Sequence, residues 1–370
     1  MTPKAIVQPI RWQPGQRVLV VSDVHGALGL LKGALAKANF GPEDVLIVLG
    51  DIMERSEGSL DTLRYVMELS RTHTVHTVLG NCDNITPAFF RTQDGRSPQI
   101  PDAFYQRWFS QLGERCALVK MARMAGTRLD TPADYPAARA ALRQAFGPEI
   151  GFLEGLPHIL LHDDYLFVHG GVPRETELES LSAFEVMKND SFLTQGHSFR
   201  RWVVVGHWPV TLYNERIPSA APIFDEKRHI ASIDGGATLK WDGQVNVVIL
   251  PQKPGGAFTW VSDDGFPTVT ALDAQAPSPD PINIRFGHSA LSVLEEGEEF
   301  CLCRHEESGR VLSILTAYLR RRDGQVTCED STDYRLSVAP GDVLSVVRRT
   351  SRGLLAKKDG VTGWYDGRYE

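Results

Sequence analysis

Short apolar runs that stop abruptly at glycine, aspartate or histidine recur through the first two thirds of the chain. Val18–Val21 leads into Ser22, Asp23, Val24 and His25, and Val45–Leu49 leads into Gly50 and Asp51. Val75–Leu79 leads into Gly80, Asn81, Cys82 and Asp83. Runs of this length bounded by turn residues read as buried strands. Between them, Leu28, Leu31, Leu35 and Ala38, and then Leu60, Leu63, Val66 and Met67, repeat at helical spacing. The order βαβαβ predicts a parallel sheet with right-handed crossovers. Ligands of such sheets collect at the carboxyl ends of the strands, where these polar residues stand. Gly50 frees the backbone to turn and present Asp51 at that edge.

Two later runs repeat the punctuation: Leu166–Val168 before His169-Gly170-Gly171, and Val203–Val205 before Gly206-His207-Trp208. Strand ends thus supply Asp23, His25, Asp51, Asn81, His169 and His207. Strands at 165–168, 202–205, 229–233 and 245–250 predict a second, more mixed sheet. Residues 84–150 change to a helical pattern, aromatic over 103–109 and alanine-rich over 137–146, and read as a helical insertion that either borders a cleft or caps the domain. Proline and glycine crowd residues 251–284, which read as a linker or small hairpin after a catalytic domain over 1–250. Short β-type runs at 299–304, 311–318, 325–328, 336–338 and 343–348 predict a small antiparallel barrel over 285–370.

The chain's 370 residues have room for two domains, and 42% hydrophobic content is ordinary for a globular protein. A formal net charge of -7 argues against a general nucleic-acid surface, so Arg320–Arg322 reads as a solvated strand end. No apolar run reaches the ~18 residues of a membrane span, and residues 1–16 lack the order of a signal peptide. A cytoplasmic location without a membrane partner is expected. The five cysteines have no regular spacing, which agrees with a reducing compartment. Cys301 and Cys303 read as two thiols on one face of a strand.

A single histidine in such a chain is ordinarily structural; six oxygen and nitrogen donors, all at strand ends, read as a metal set. Carboxylate, imidazole and amide oxygen suit divalent Mn, Fe or Zn without deciding among them. One aspartate between two clusters can bridge two ions. A pair ~3.5–4 Å apart can hold a hydroxide and clamp an in-line displacement at phosphorus.

Ser-Asp-Val-His-Gly, Gly-Asp-Ile-Met-Glu-Arg-Ser, Gly-Asn-Cys-Asp, His-Gly-Gly and Gly-His-Trp-Pro, in that order over residues 16–250, resemble the calcineurin-like metallophosphoesterases. Within them the branch of phosphoprotein phosphatases and bis(nucleosyl)-tetraphosphatases is the most similar. The resemblance implies a four-layer αββα sandwich and a phosphoric ester hydrolase with two divalent ions. Asp23 and His25 would bind the first ion, Asp51 would bridge, and Asn81, His169 and His207 would bind the second. Arg55 and Asn81 would contact the substrate phosphate. Arg200 and Arg201 either add a phosphate contact or form a basic patch before a strand. Asp234, before Gly235-Gly236, reads as turn geometry.

The departures matter. Where phosphatases of this branch have Asp-Arg-Gly and Gly-Asn-His-Glu, this chain has Glu54-Arg55-Ser56 and Gly80-Asn81-Cys82-Asp83. The family histidine protonates the leaving oxygen, oriented by the aspartate; Cys82 and Glu54 occupy those positions. A thiol with an ordinary pKa of ~8.5 is a weak replacement, and losing a general acid costs ~10²–10⁴-fold for a poor leaving group. Diesters and esters with good leaving groups are the expected substrates, with Cys82, Asp83 or water assisting departure. Phosphoproteins and dinucleoside polyphosphates are alternatives, and a binding scaffold without turnover is the alternative of another class. A Gly-Asp turn at 341–342 and a Gly-Trp corner at 363–364 make the C-terminal module similar to an SH3-like barrel, a candidate for recruiting a protein partner.

Overall fold

The central strands form where apolar runs are covered on both faces, as at Val18–Val21 and Val45–Val48. The computed structural model describes residues 3–91, 100–253 and 255–370. One compact unit comprises residues 1–208, 222–239 and 245–263. Its elements are β1 (Val7–Pro9), β2 (Val18–Val21), α1 (Leu28–Lys37), β3 (Val45–Val48), α2 (Ser59–Thr72), β4 (Thr74–Thr77), α3 (Ile85–Arg91), α4 (Asp102–Leu112), α5 (Ala117–Met124), α6 (Tyr135–Ala145) and α7 (Gly147–Glu154). After them come β5 (Ile159–Leu161), β6 (Tyr165–Val168), α8 (Ala183–Met187), β7 (Trp202–Val205), β8 (Ile223–Asp225), β9 (Ile230–Ser232), β10 (Val245–Ile249) and β11 (Thr259–Asp263).

In the first sheet β2, β3 and β4 are parallel neighbours, as the βαβαβ order requires. The strand at 245–250 is expected in the second sheet, but it lies in the first, with Val247 opposite Val21 and β11 outside it. Val245, Val247 and Val248 are all fully buried, and only an interior strand covers both of its faces. β11 falls in the stretch expected to be a linker and forms this sheet's edge. The second sheet has the order β1-β5-β6-β7-β9-β8 and is mixed: β1 and β5 are parallel, β5 is antiparallel to β6, β6, β7 and β9 are parallel, and β8 is antiparallel to β9.

Alternation along each strand decides which core its side chains enter. Val20, Ile47 and Leu49 of the first sheet share one core with Leu160, Phe167, Val204 and Ala231 of the second. Leu19, Val21, Leu46 and Val48 point the other way, onto Leu31 and Leu35 of α1 and Leu63 and Val66 of α2. The same cluster takes in the insertion, whose described part forms α3 to α7; residues 92–99 of the insertion and Pro254 of the expected linker lie outside the described residues. Tyr105 of α4 meets Phe89 of α3 edge to face with ring centroids 5.4 Å apart, so Tyr105 and Phe109 enter the core while Phe104 and Trp108 stay half-buried.

The second unit comprises residues 209–221, 240–244 and 264–370, so it begins at Asp264 rather than at 285 and includes two segments from earlier in the chain. It is rich in β structure: a four-stranded sheet containing Val343–Thr350, Gly353–Lys358 and Val361–Tyr365, a three-stranded sheet containing Phe300–His305, and two strand pairs. Val338 makes only an isolated bridge to Gln275, so the expected strand at 336–338 does not form. Cys301 and Cys303 are buried on one face of their strand while Leu302 is exposed. Each arginine of 320–322 pairs with an acid, Glu329, Glu296 and Asp323 in turn. Among the described residues no helix is long and apolar enough to cross a membrane.

Gly50 has φ +86°, and a Cβ there would stand 2.4 Å from the Gly80 nitrogen. Left-handed strain and overpacking against backbone together cost about 3 kcal/mol. Gly50→Ala should therefore lower the urea midpoint of unfolding, whereas Gly41→Ala, with open space around it, should not.

Candidate metal centre

The loops after β2 and β3 are stitched together before any side chain is considered. Asp23 N–H donates to Gly50 O (3.1 Å), His25 N–H to Asp51 O (2.9 Å) and Gly26 N–H to Ile52 O (2.8 Å). The turn this requires puts Asp23, His25 and Asp51 at φ 53°, 48° and 50°, and His207 stands at 67°. Left-handed non-glycine residues are costly and concentrate where the surroundings over-determine them. From the second sheet, His207 N–H donates to Asp23 Oδ2 (2.9 Å). A Cβ on Gly206 would come within 2.2 Å of that same oxygen, so only glycine lets β7 approach β2 so closely.

All six expected donors gather here. His25 and His169 each donate Nδ1–H to a main-chain carbonyl, Met53 O (3.2 Å) and Leu49 O (2.7 Å), which leaves Nε2 turned inward. Nε2 of His25 lies 3.9 Å from Asp23 Oδ1 and 3.7 Å from Asp51 Oδ2; Nε2 of His169 lies 3.5 Å from Asp51 Oδ1 and 3.1 Å from Asn81 Oδ1. The His207 ring centroid is 5.1 Å from that of His169. Two groups of ligand atoms each lie within 4.8 Å: His25, Asp51 and Cys82, and Asp23, Asp51 and His169. Asp51 belongs to both.

These residues fit divalent ions. Asp23 Oδ1 is buried with no hydrogen-bond partner, a position that is costly without a cation. Burial works against ionising Asp51, yet the imidazoles of His169, His25 and His207 hold its carboxyl well below the usual range. Burial disfavours the charged form of His169, but Asp51 and Asp23 outweigh it and lift the imidazole to about 10. A proton there stands where a metal ion would supply the positive charge.

The remaining expected residues divide. Arg55 lies close enough for its charge to act on His25 and Cys82. Cys82 is buried; its N–H donates to Asp51 Oδ1 (2.8 Å) and its Sγ accepts from Asn81 Nδ2 (3.4 Å). Burial and Asp51 push its thiol pKa well up. Asp83 spends both oxygens on main chain, accepting from Ile52 N–H (3.2 Å) and Met53 N–H (3.0 Å), and so braces the Asp51 turn. Glu54 accepts from Trp108 Nε1–H and Ala117 N–H, both at 3.1 Å, and not from Cys82, so it ties the loop to the insertion. Arg201 pairs with Glu175 (3.2 Å) ahead of β7, at the opposite end of that strand from His207, so it makes no phosphate contact. Asp234 Oδ1 accepts from Gly236 N–H (2.7 Å), the turn geometry expected of it. Sequence reasoning missed Asp190, whose Oδ1 lies 2.7 Å from His207 Nε2, and Trp108. No strand-end signal marks either.

Two sheets that share a core, with candidate ligands from both converging on one carboxylate, define an α/β protein with a candidate metal site between the sheet ends. Residues 16–230 match the model of the calcineurin-like phosphoesterases, and the chain belongs to that family, whose members use a dinuclear divalent centre. Serine/threonine-protein phosphatase 2 of Salmonella typhimurium is 34% identical over 101 residues, 27% of this chain and 43% of that protein. The symmetrical bis(5'-nucleosyl)-tetraphosphatase of Serratia proteamaculans is 46% identical over 65 residues, 17% of this chain and 22% of that protein. The chain spans less than half the length of these curated relatives. A solved metallophosphoesterase from Sphaerobacter thermophilus aligns with a TM-score of 0.33 at 18% identity, over 67% of this chain and 87% of that one.

Burial raises the Glu54 carboxyl from 4.5 to about 7 against its hydrogen-bond donors. The folded protein therefore binds more protons than the unfolded chain across that window, and this contribution, full below pH 4.5, is lost as pH rises through 7. At ~1.4 kcal/mol per unit the loss is on the order of 3 kcal/mol. Thermal melts of metal-free protein should show a shallower decline over this range for Glu54→Gln than for wild type.

Proposed function

We propose that this protein is a two-metal phosphoesterase that cleaves diesters and esters with good leaving groups in preference to alkyl phosphomonoesters. The observation that carries this reading is that the two oxygens of Asp51 face different imidazoles, Oδ2 at 3.7 Å from His25 Nε2 and Oδ1 at 3.5 Å from His169 Nε2. Asp23 and His25 would hold one ion, Asn81, His169 and His207 the other, and Asp51 both, with Mn, Fe or Zn suited to the donors. Such a pair supplies Lewis-acid charge at phosphorus and an activated water as nucleophile.

The chain's own residues do the rest. Asp190, 2.7 Å from Nε2 of His207, would hold that ring in place. The Arg55 guanidinium takes phosphoryl oxygens as a planar fork of donors, and the Asn81 amide offers a further contact. Cys82 stays protonated, but a buried thiol is a weak acid, and Asp83 is committed to the main chain. Water then protonates the departing oxygen, which favours groups stable as anions.

The likeness to the Salmonella phosphatase and the tetraphosphatases supports a second reading of the substrate, a phosphoprotein or dinucleoside polyphosphate. A non-catalytic scaffold would not require all six donors and Arg55. The core common to both sheets supports the four-layer αββα arrangement. The β-rich second unit would serve as an SH3-like module that docks a protein partner, and the enzyme would work in the cytoplasm.

With Mn-reconstituted protein, turnover of an aryl phosphodiester should exceed that of the matched monoester and fall to background in Asp51→Asn. Cys82→His should raise monoester turnover by up to ~10²-fold by restoring an imidazole acid. Diester turnover that survives Asp51→Asn would overturn the mechanism.

A further inference from the structure

Arg55 is the residue proposed to hold the substrate's oxygens, yet among the described residues no hydrogen bond or ion pair holds it. Its Nε is buried without a hydrogen-bond partner, and both Glu54 and Arg55 have left-handed backbones, φ 70° and 71°. Two consecutive non-glycine residues in that region persist only where something outside the loop fixes them. The insertion provides the clamp. Trp108 of α4 and Ala117 at the start of α5 each donate to one oxygen of Glu54, and Lys120 Nζ donates to Glu57 O (2.6 Å) two residues beyond Arg55. The Trp108 ring lies 5.4 Å from the Arg55 guanidinium carbon, and Phe104, one turn earlier, stacks on that ring at 5.6 Å and 15°.

We infer that Trp108 is a positioning residue: held by Glu54 and Phe104, its indole aims the Arg55 guanidinium at the phosphoryl group, so the helical insertion sets the site's affinity for tetrahedral oxyanions. The indole face is the aromatic surface to which a guanidinium is most strongly attracted, and it orients the cation without using the N–H groups a phosphate needs. A carboxylate partner would hold Arg55 as firmly but would compete with the substrate for those donors. The role rests on the phosphoesterase reading of Arg55, and the test separates the two.

Tungstate binding to the Mn-loaded full chain, measured by titration calorimetry, and hydrolysis of an aryl phosphodiester are compared for wild type, Trp108→Ala, Trp108→Phe, Arg55→Ala and Arg55→Ala/Trp108→Ala, with melting temperature and bound Mn as controls. Trp108→Ala should weaken tungstate about tenfold and raise KM more than it lowers kcat, while Trp108→Phe, which keeps a ring face, stays within about threefold of wild type. In the Arg55→Ala background, removing Trp108 should change affinity by less than about twofold, because the two act as one unit. Equal losses in both backgrounds, or wild-type affinity in Trp108→Ala, would overturn the inference. Tungstate binding with this coupling but no turnover would sink the phosphoesterase reading and leave the positioning role standing. A wild type that neither binds tungstate nor turns over would sink both.

Discussion

A carboxylate buried among other carboxylates is the constraint on which the rest of this protein depends. Asp51 is almost inaccessible to water, close to Asp23, and tolerable only because imidazoles and the Cys82 N–H face it. Those partners come from both sheets. His169 follows a strand of the second sheet and bonds to the Leu49 carbonyl of the first, and His207 N–H reaches across to Asp23. The centre is therefore also a seam, where the ends of two sheets are tied by the groups that would hold the ions.

The same constraint explains why neighbouring acids have unlike duties. Asp83 and Glu54 stand at strand ends as Asp23 and Asp51 do, yet both spend their oxygens on N–H donors away from the cluster. A further ionised carboxylate facing Asp51 would add repulsion where dielectric screening is weakest. Turned outward, Asp83 shapes the loop that carries Asp51, and Glu54 fastens the loop that carries Arg55. The helical insertion contributes Trp108 to that second loop, so a segment without a candidate ligand still bears on the site.

Much of this was legible in the chain alone. Apolar runs ending in Asp23, Asp51 and Asn81 marked parallel strands and their chemically useful ends, because strand period and turn chemistry are local properties. The repetition of that punctuation at His169 and His207 marked the partners from the second sheet. What eluded the sequence was strand neighbourhood and side-chain direction. Val245–Ile249 has the apolar pattern of an interior strand in either sheet, and only its register against β2 assigns it. Asp190 has no local mark at all, and the aromatic run 103–109 does not tell which of its rings turns toward the site.

The sequence by itself thus determined the family and the α/β class and marked six candidate donors, since each depends on residue type and spacing along the chain. Tertiary structure alone decided that Glu54 and Asp83 brace rather than face the cluster, that Asp190 stands on His207, and that Arg55 lies beside an indole from the insertion. Those outcomes depend on hydrogen bonds and packing between segments far apart in sequence, and no local period carries that information.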